Sequence, residues 1–440
     1  MIGLLLRNAR IIDGMTLVDV AVDKGRIVEV GPNLDLVAQQ EIAVNGCLLI
    51  PAFVESHLHL DIALMNDWQV PGRPEPFLSL KGLNQSLEHR RQEFTTEDIE
   101  RRASTALEVA SRHGVTALRA QCHVDQEVGL KHVEVLQKTK EKYAERVTVQ
   151  IVAFPQQGFI NHPDNADLFR EAFQVGADVM GGASNLDVMP DGRIDWKAHI
   201  DAVFDLAMDL DVDVDIHADL GIPQNVTLDE LETVYIAKQT IERGYQGRVT
   251  VGHVCTLGVA APDVAKEAIE LIKEAELNIT SQPDLYRLGR EDTHNVRRGL
   301  TRVKELLAAG VNVTYASNNV RDAYRPMGNF NLLEEGLILS YGAHMDTIEE
   351  FNAIMQMSTF NAAKALRLSN YGLAPGCYAD LVVLAAPSPS AAIIGQAEKR
   401  YVFKHGRIVA TNEVISPPCN GLFLTHHTIH DDFNHFKQSL

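Results

Sequence analysis

Short apolar runs alternate with amphipathic segments along most of this chain. Runs rich in Val, Ile and Leu begin near Leu48, Val115, Arg146, Ala177, Val212, Arg248, Leu277 and Val311. Each is the length of a strand buried on both faces, and most intervals between them carry helical spacing. Thr95 to His113 is the clearest interval. Thr95 and Asp98 resemble a capping box, Ile99, Ala103, Leu107 and Ala110 form one apolar stripe, and Gly114 stops the helix. Eight such units predict an α/β protein built as a (β/α)8 TIM-type barrel. A doubly wound open sheet is the rival arrangement.

The two ends follow a different pattern. Residues 3–47 and 379–411 hold short strands with turn signals at Asp13-Gly14, Lys24-Gly25 and His405-Gly406. Gly25-Arg26-Ile27-Val28 is echoed by Gly406-Arg407-Ile408-Val409. The echo predicts a small β-sandwich assembled from both termini, residues 1–50 plus 370–415, flanking a barrel of residues 51–369. Beyond Pro417-Pro418, residues 416–440 form an extension containing His426, His427, His430 and His435. It reads as a solvated or oligomer-docked tail rather than a second metal site.

Composition narrows the function. The 59 acidic and 40 basic residues leave a net charge of −19, which argues against a nucleic-acid or anionic-membrane partner. The five cysteines include no C-x-x-C pair, as expected of reduced thiols. The start lacks the basic and apolar regions of a signal peptide, and no run is long enough to span a bilayer. A cytoplasmic location is the expectation.

The chemistry concentrates at the predicted strand ends. His57 and His59 are separated by one residue, so a strand places both imidazoles on one face. His217 ends the fifth predicted strand and His253 the sixth. In a barrel these ends share one mouth, where four histidines can gather around a metal ion. Signatures of other enzymes are missing. There is no H-x-E with P-C-x-x-C, no G-x-x-x-x-G-K-[ST] and no G-x-S-x-G.

Several stretches together resemble the amidohydrolase superfamily, specifically its cytosine deaminase-like branch. They are Pro51-Ala-Phe-Val-Glu-Ser-His57-Leu-His59-Leu-Asp61, Ala153-Phe154-Pro155-Gln156, His217-Ala-Asp219, Arg298-Gly-Leu-Thr-Arg-Val-Lys304 and Gly376-Cys-Tyr-Ala-Asp380-Leu. The resemblance implies a metal-bearing barrel that hydrolyses a C–N bond of a small nitrogen heterocycle, in a homo-oligomer. It implies His57, His59 and His217 as ligands of one divalent ion, zinc or iron, since the fourth strand region offers no lysine for a bridged pair. It also implies His253 beside the reacting carbon and Gln156 as a substrate-binding amide. Trp68 and Asn319 are expected to help hold the ring.

Ala183-Ser184-Asn185, between Gly182 and Leu186, depart from that pattern, and so do two positions that bear on the chemistry. Leu220 stands where the branch usually has a glutamate that shuttles the proton, and Asn318 where it has a metal-binding aspartate. Three readings follow. In the first, an active hydrolase uses His253 or Asp219 in place of the missing groups, Asp219 because a strand would face it the same way as His217. In the second, a catalytically silent relative binds a heterocycle. In the third, Asn318 is an engineered substitution in an otherwise active enzyme.

Overall fold

The computed structural model of the chain describes residues 1–12, 16–66, 80–189, 191–282, 285, 288–290 and 299–412. The Asp13-Gly14 turn, Trp68 and the histidine-rich extension lie outside these residues.

The N-terminal segment forms β1 (Ile2–Ala9), β2 (Val18–Asp23), β3 (Arg26–Gly31) and β4 (Ala38–Ala43), paired in the order β3-β2-β1-β4. β5 (Leu48–Pro51) leaves this sheet and pairs antiparallel with β14 (Leu381–Leu384), beside β15 (Lys399–Lys404) and β16 (Arg407–Thr411). Leu4, Leu6, Val20, Val22 and Ile27 of one sheet pack with Leu49, Leu381, Val383 and Phe403 of the other in one buried cluster. This is the expected sandwich.

Its sequence echo has a physical origin. Lys24-Gly25 and His405-Gly406 are two-residue hairpin turns, and all four residues have φ between 48° and 79°. That is the type I′ geometry favoured by the twist of the flanking strands. A Cβ on Gly25 would lie 3.1 Å from the His405 carbonyl oxygen, so the two turns abut, and both this close approach and the φ of +79° favour glycine.

The apolar run read as one strand from Leu48 is two. β5 belongs to the sandwich, and the first barrel strand is β6 (Phe53–His59). Pro51 lies at the break, where its missing N–H favours a strand end. The barrel continues through β7 (Val115–His123), β8 (Thr148–Phe154), β9 (Val179–Ala183), β10 (Asp213–Ala218), β11 (Val249–His253), β12 (Asn278–Ser281) and β13 (Asn312–Tyr315). Every consecutive pair is parallel. The seam closes where Asn318 N–H donates to the His57 carbonyl and His59 N–H donates to the Asn318 carbonyl, at 3.0 and 2.8 Å. The structure is therefore a TIM barrel with a terminal sandwich.

The helices cover the barrel as their patterns predict. Thr95 caps the helix Thr96–Arg112 by accepting the Asp98 N–H, and Ile99, Ala103, Leu107 and Ala110 are buried. Among the described residues, no helix is long and apolar enough to cross a membrane.

Candidate active site

β6 is buried along its whole length, and period-two alternation points Glu55, His57 and His59 into the barrel. β10 does the same with Asp215 and His217. The result is a knot of imidazoles at the barrel mouth. Nε2 of His217 lies 3.1 Å from Nε2 of His57 and 3.1 Å from Nε2 of His59. The His253 ring, at the end of β11, is centred 5.1 Å from that of His217.

Polar residues beneath the knot set its orientation. His57 Nδ1 is 3.1 Å from Asp215 Oδ1, so Nδ1–H donates to the carboxylate and Nε2 presents its lone pair to the centre. Asp215 also accepts from Gln121 Nε2 and from the buried Arg119 guanidinium, each at 3.1 Å. Burial alone would raise the Asp215 pKa, but His57 and Arg119 outweigh it and hold the carboxyl below its ordinary value. For His59, burial followed by the neighbouring His57 and His123 rings pushes the pKa far down, so the ring is neutral.

This arrangement fits a cation. His57 Nε2 presents a lone pair, and Nε2–Nε2 separations of 3.1 Å call for something positive between the rings, a shared proton or a bound cation. Zinc–imidazole bonds of ~2.0–2.1 Å in a tetrahedral set separate the nitrogens by ~3.3 Å, close to what is seen. Asn318 adds a further acceptor, because its Oδ1 is buried with no hydrogen-bond partner among the described residues. Its φ of +57°, with +54° at Asp219, +72° at His253 and +53° at Val254, concentrates backbone strain at the rim.

The cavity over the knot is lined by Asn84, Phe154, Gln156, Asn185, Leu186, Leu220, Asn318, Asn319 and Tyr324, besides His59, His217 and His253. No carboxylate, lysine or arginine is among these described lining residues. Gln156 donates from Nε2 to the Tyr324 hydroxyl at 3.1 Å, and that hydroxyl donates to Asn84 Oδ1 at 2.8 Å. Asn319 donates to Asp322 Oδ2 at 2.6 Å, which fixes its amide.

Of the residues singled out from the sequence, His57, His59, His217, His253, Gln156, Asn318 and Asn319 meet at this one mouth. Asp219 does not join them. β10 ends at Ala218, and the left-handed backbone of Asp219 breaks the period-two alternation. Its carboxylate instead accepts the N–H groups of Glu232 and Thr233, at 2.9 and 3.1 Å, at the start of the helix Glu232–Glu242. Glu232 reciprocates by accepting the Asp219 N–H at 2.7 Å, and burial beside Asp219 raises its pKa to about 7.

Sequence reasoning missed Asp215, Asn84 and Tyr324. Asp215 carries a readable signal, two residues before His217 on the same strand face. Asn84 and Tyr324 come from distant segments whose local pattern says nothing of the cavity.

The sequence model of the amidohydrolase family matches residues 72–410. N-isopropylammelide isopropyl amidohydrolase of Pseudomonas sp. (strain ADP) is 29% identical over 415 residues, spanning 94% of this chain and 98% of that protein. Pterin deaminase of Rhizobium rhizogenes is 26% identical over 405 residues, spanning 90% of this chain and 89% of that one. The crystal structure of 5-methylcytosine deaminase from Klebsiella pneumoniae liganded with phosphonocytosine superposes with a TM-score of 0.85 at 29% identity. It covers 94% of this chain and 100% of that one.

Proposed function

Because the chain belongs to the amidohydrolase family, we propose that it hydrolyses an exocyclic C–N bond of a small uncharged nitrogen heterocycle and releases a substituted amine. One divalent cation, zinc or iron, would be held by His57, His59 and His217. The observation that carries this reading is the convergence of three imidazole nitrogens at 3.1 Å contacts, with Asp215 fixing the tautomer of one of them. Such a cation supplies Lewis acidity, lowering the pKa of water towards ~7.

The chain's own residues do the rest. Gln156, oriented by Tyr324, offers an amide edge complementary to a ring's donor–acceptor pattern. Asn84, Asn185 and Asn319 extend this neutral polar lining, which suits an uncharged ring. Leu220 and Leu186 form an apolar wall where a carboxylate would favour an unsubstituted amine, so the leaving group is alkylated. Similarity to the isopropylammelide hydrolase supports that choice. His253 is the titratable side chain left to carry the proton from water to the departing nitrogen, since Asp219 is engaged at the helix start. A cytoplasmic homo-oligomer is part of the proposal, resting on sparse cysteines and on the resemblance.

The test is amine release from aminotriazines and aminopyrimidines with and without N-alkyl groups. Alkylamine release should exceed ammonia release from the unsubstituted rings. Leu220→Glu combined with Asn318→Asp should reverse that order. Absence of amine release from every ring by the metal-loaded protein contradicts the proposal.

A further inference from the structure

A second cluster of potential ligands lies behind the first. Asp61 follows β6, His123 ends β7, and His132 lies in the first turn of the helix Lys131–Tyr143. All three side chains are fully buried. One ligand atom from each lies within 4.8 Å of the others. Asp61 Oδ2 is 2.6 Å from His132 Nδ1 and 3.4 Å from His123 Nδ1. Phe94 and Phe154 flank the imidazoles, with ring centroids 6.4 Å from His132 and 5.9 Å from His123.

Hydrogen bonding within the chain leaves this cluster incomplete. Asp61 Oδ1, both ring nitrogens of His123 and Nε2 of His132 are buried with no hydrogen-bond partner among the described residues. An imidazole must carry at least one N–H, and a buried unpaired donor or acceptor costs ~1–3 kcal/mol. A cation beside Asp61 Oδ2 would take up the lone pair of one of these orphaned atoms, His123 Nδ1. The nearby arginines do not fill the role. Arg91 binds Asp125, Glu88 and Glu127, and Arg102 donates to the Asp61 and Ala63 carbonyl oxygens.

We infer that Asp61, His123 and His132 form a second divalent-cation site, separate from the His57–His59–His217 centre and structural in role. Two imidazoles and one carboxylate are a donor set of borderline softness, suited to zinc, cobalt or ferrous iron. Tetrahedral bonds of ~2.0–2.2 Å place ligand atoms ~3.3–3.6 Å apart, so adjustments of less than ~1 Å would seat the ion. It would tie the segment after β6 and the helix Lys131–Tyr143 to the end of β7. Complete burial predicts an ion loaded during folding and exchanged slowly.

Cobalt(II) reconstitution of the full chain, with metal counted per chain, provides the test. The unaltered protein should hold two equivalents. His217→Ala should retain one ion, with a visible spectrum unlike that of the three-histidine centre. His132→Gln should lose that ion and keep the other. An unaltered chain that holds one cobalt, together with a His217→Ala variant that holds none, overturns the inference and makes the cluster a hydrogen-bonded clamp. Because His217→Ala leaves the second cluster untouched, the test does not depend on whether His132→Gln folds. The two sites share no residue, so failure of one is distinguishable from failure of the other.

Discussion

Replacing Asp215 by asparagine probes the metal centre without touching a ligand. In the native chain the carboxylate accepts the His57 Nδ1–H on one oxygen and the Arg119 guanidinium on the other. An asparagine keeps one acceptor oxygen and puts an NH2 group in place of the second. If the oxygen faces His57, the NH2 group faces the buried guanidinium. If it faces Arg119, the NH2 group meets the His57 Nδ1–H and undoes the tautomer that aims Nε2 at the centre. Loss of the carboxylate behind a metal-binding histidine typically weakens metal affinity ~10–100-fold, or ~1.4–2.7 kcal/mol. Stability of the metal-free protein should also fall, because a buried cation loses its counter-ion at a cost of ~3–5 kcal/mol. The lower end is expected here, since Thr250, Gln150 and the Ala365 carbonyl still accept from Arg119. Chelator competition gives the affinity and urea denaturation of the apoprotein the stability. Adding Arg119→Met should restore much of the stability while leaving affinity low. If Asp215→Asn lowers stability but binds metal as tightly as the native chain, Asp215 serves only Arg119, and the orienting role assigned to it is wrong.

Two further outcomes test the scaffold. Burial, and secondarily Lys399, depresses the His113 pKa to about 4 from 6.5. The folded state therefore favours the neutral ring, and its stabilising contribution is present above pH 6.5 and fades as pH falls towards 4. Between pH 7.5 and 4.5 the native protein should lose ~1–2 kcal/mol more stability than His113→Gln in urea titrations, the range being discounted for the ring's partial exposure. Equal losses would refute the sign. In the short helix after β11, a Cβ on Gly258 would come within 2.0 Å of the Leu300 carbonyl oxygen. Gly258→Ala should therefore cost ~1–3 kcal/mol in the same assay, and an unchanged midpoint would show that this packing is soft.

Periodicity made the barrel readable. Strands buried on both faces stand out as apolar runs, and one intervening residue was enough to place His57 and His59 on a common face. The same rule failed at two places for a physical reason, because alternation holds only while the backbone stays extended. At Asp219 the left-handed turn redirects a carboxylate that strand parity would aim with His217. Near Pro51 the run counted as the first barrel strand begins too early, inside β5 of the sandwich, although the boundary expected at residue 50 falls at the break. What remained hidden depends on contacts between distant segments. Tyr324 orients Gln156 across the mouth, and Asp61, His123 and His132 meet from three separate elements. The Asp215 support was within reach, since the i, i+2 spacing that pairs His57 with His59 also pairs Asp215 with His217.

Diffraction recorded on either side of the zinc and iron absorption edges, from crystals of the chain as purified, bears most directly on the three-histidine centre. An anomalous peak ~2.0–2.2 Å from Nε2 of His57, His59 and His217 is expected. An empty difference map at that point, or imidazoles rotated away from one another, would contradict it.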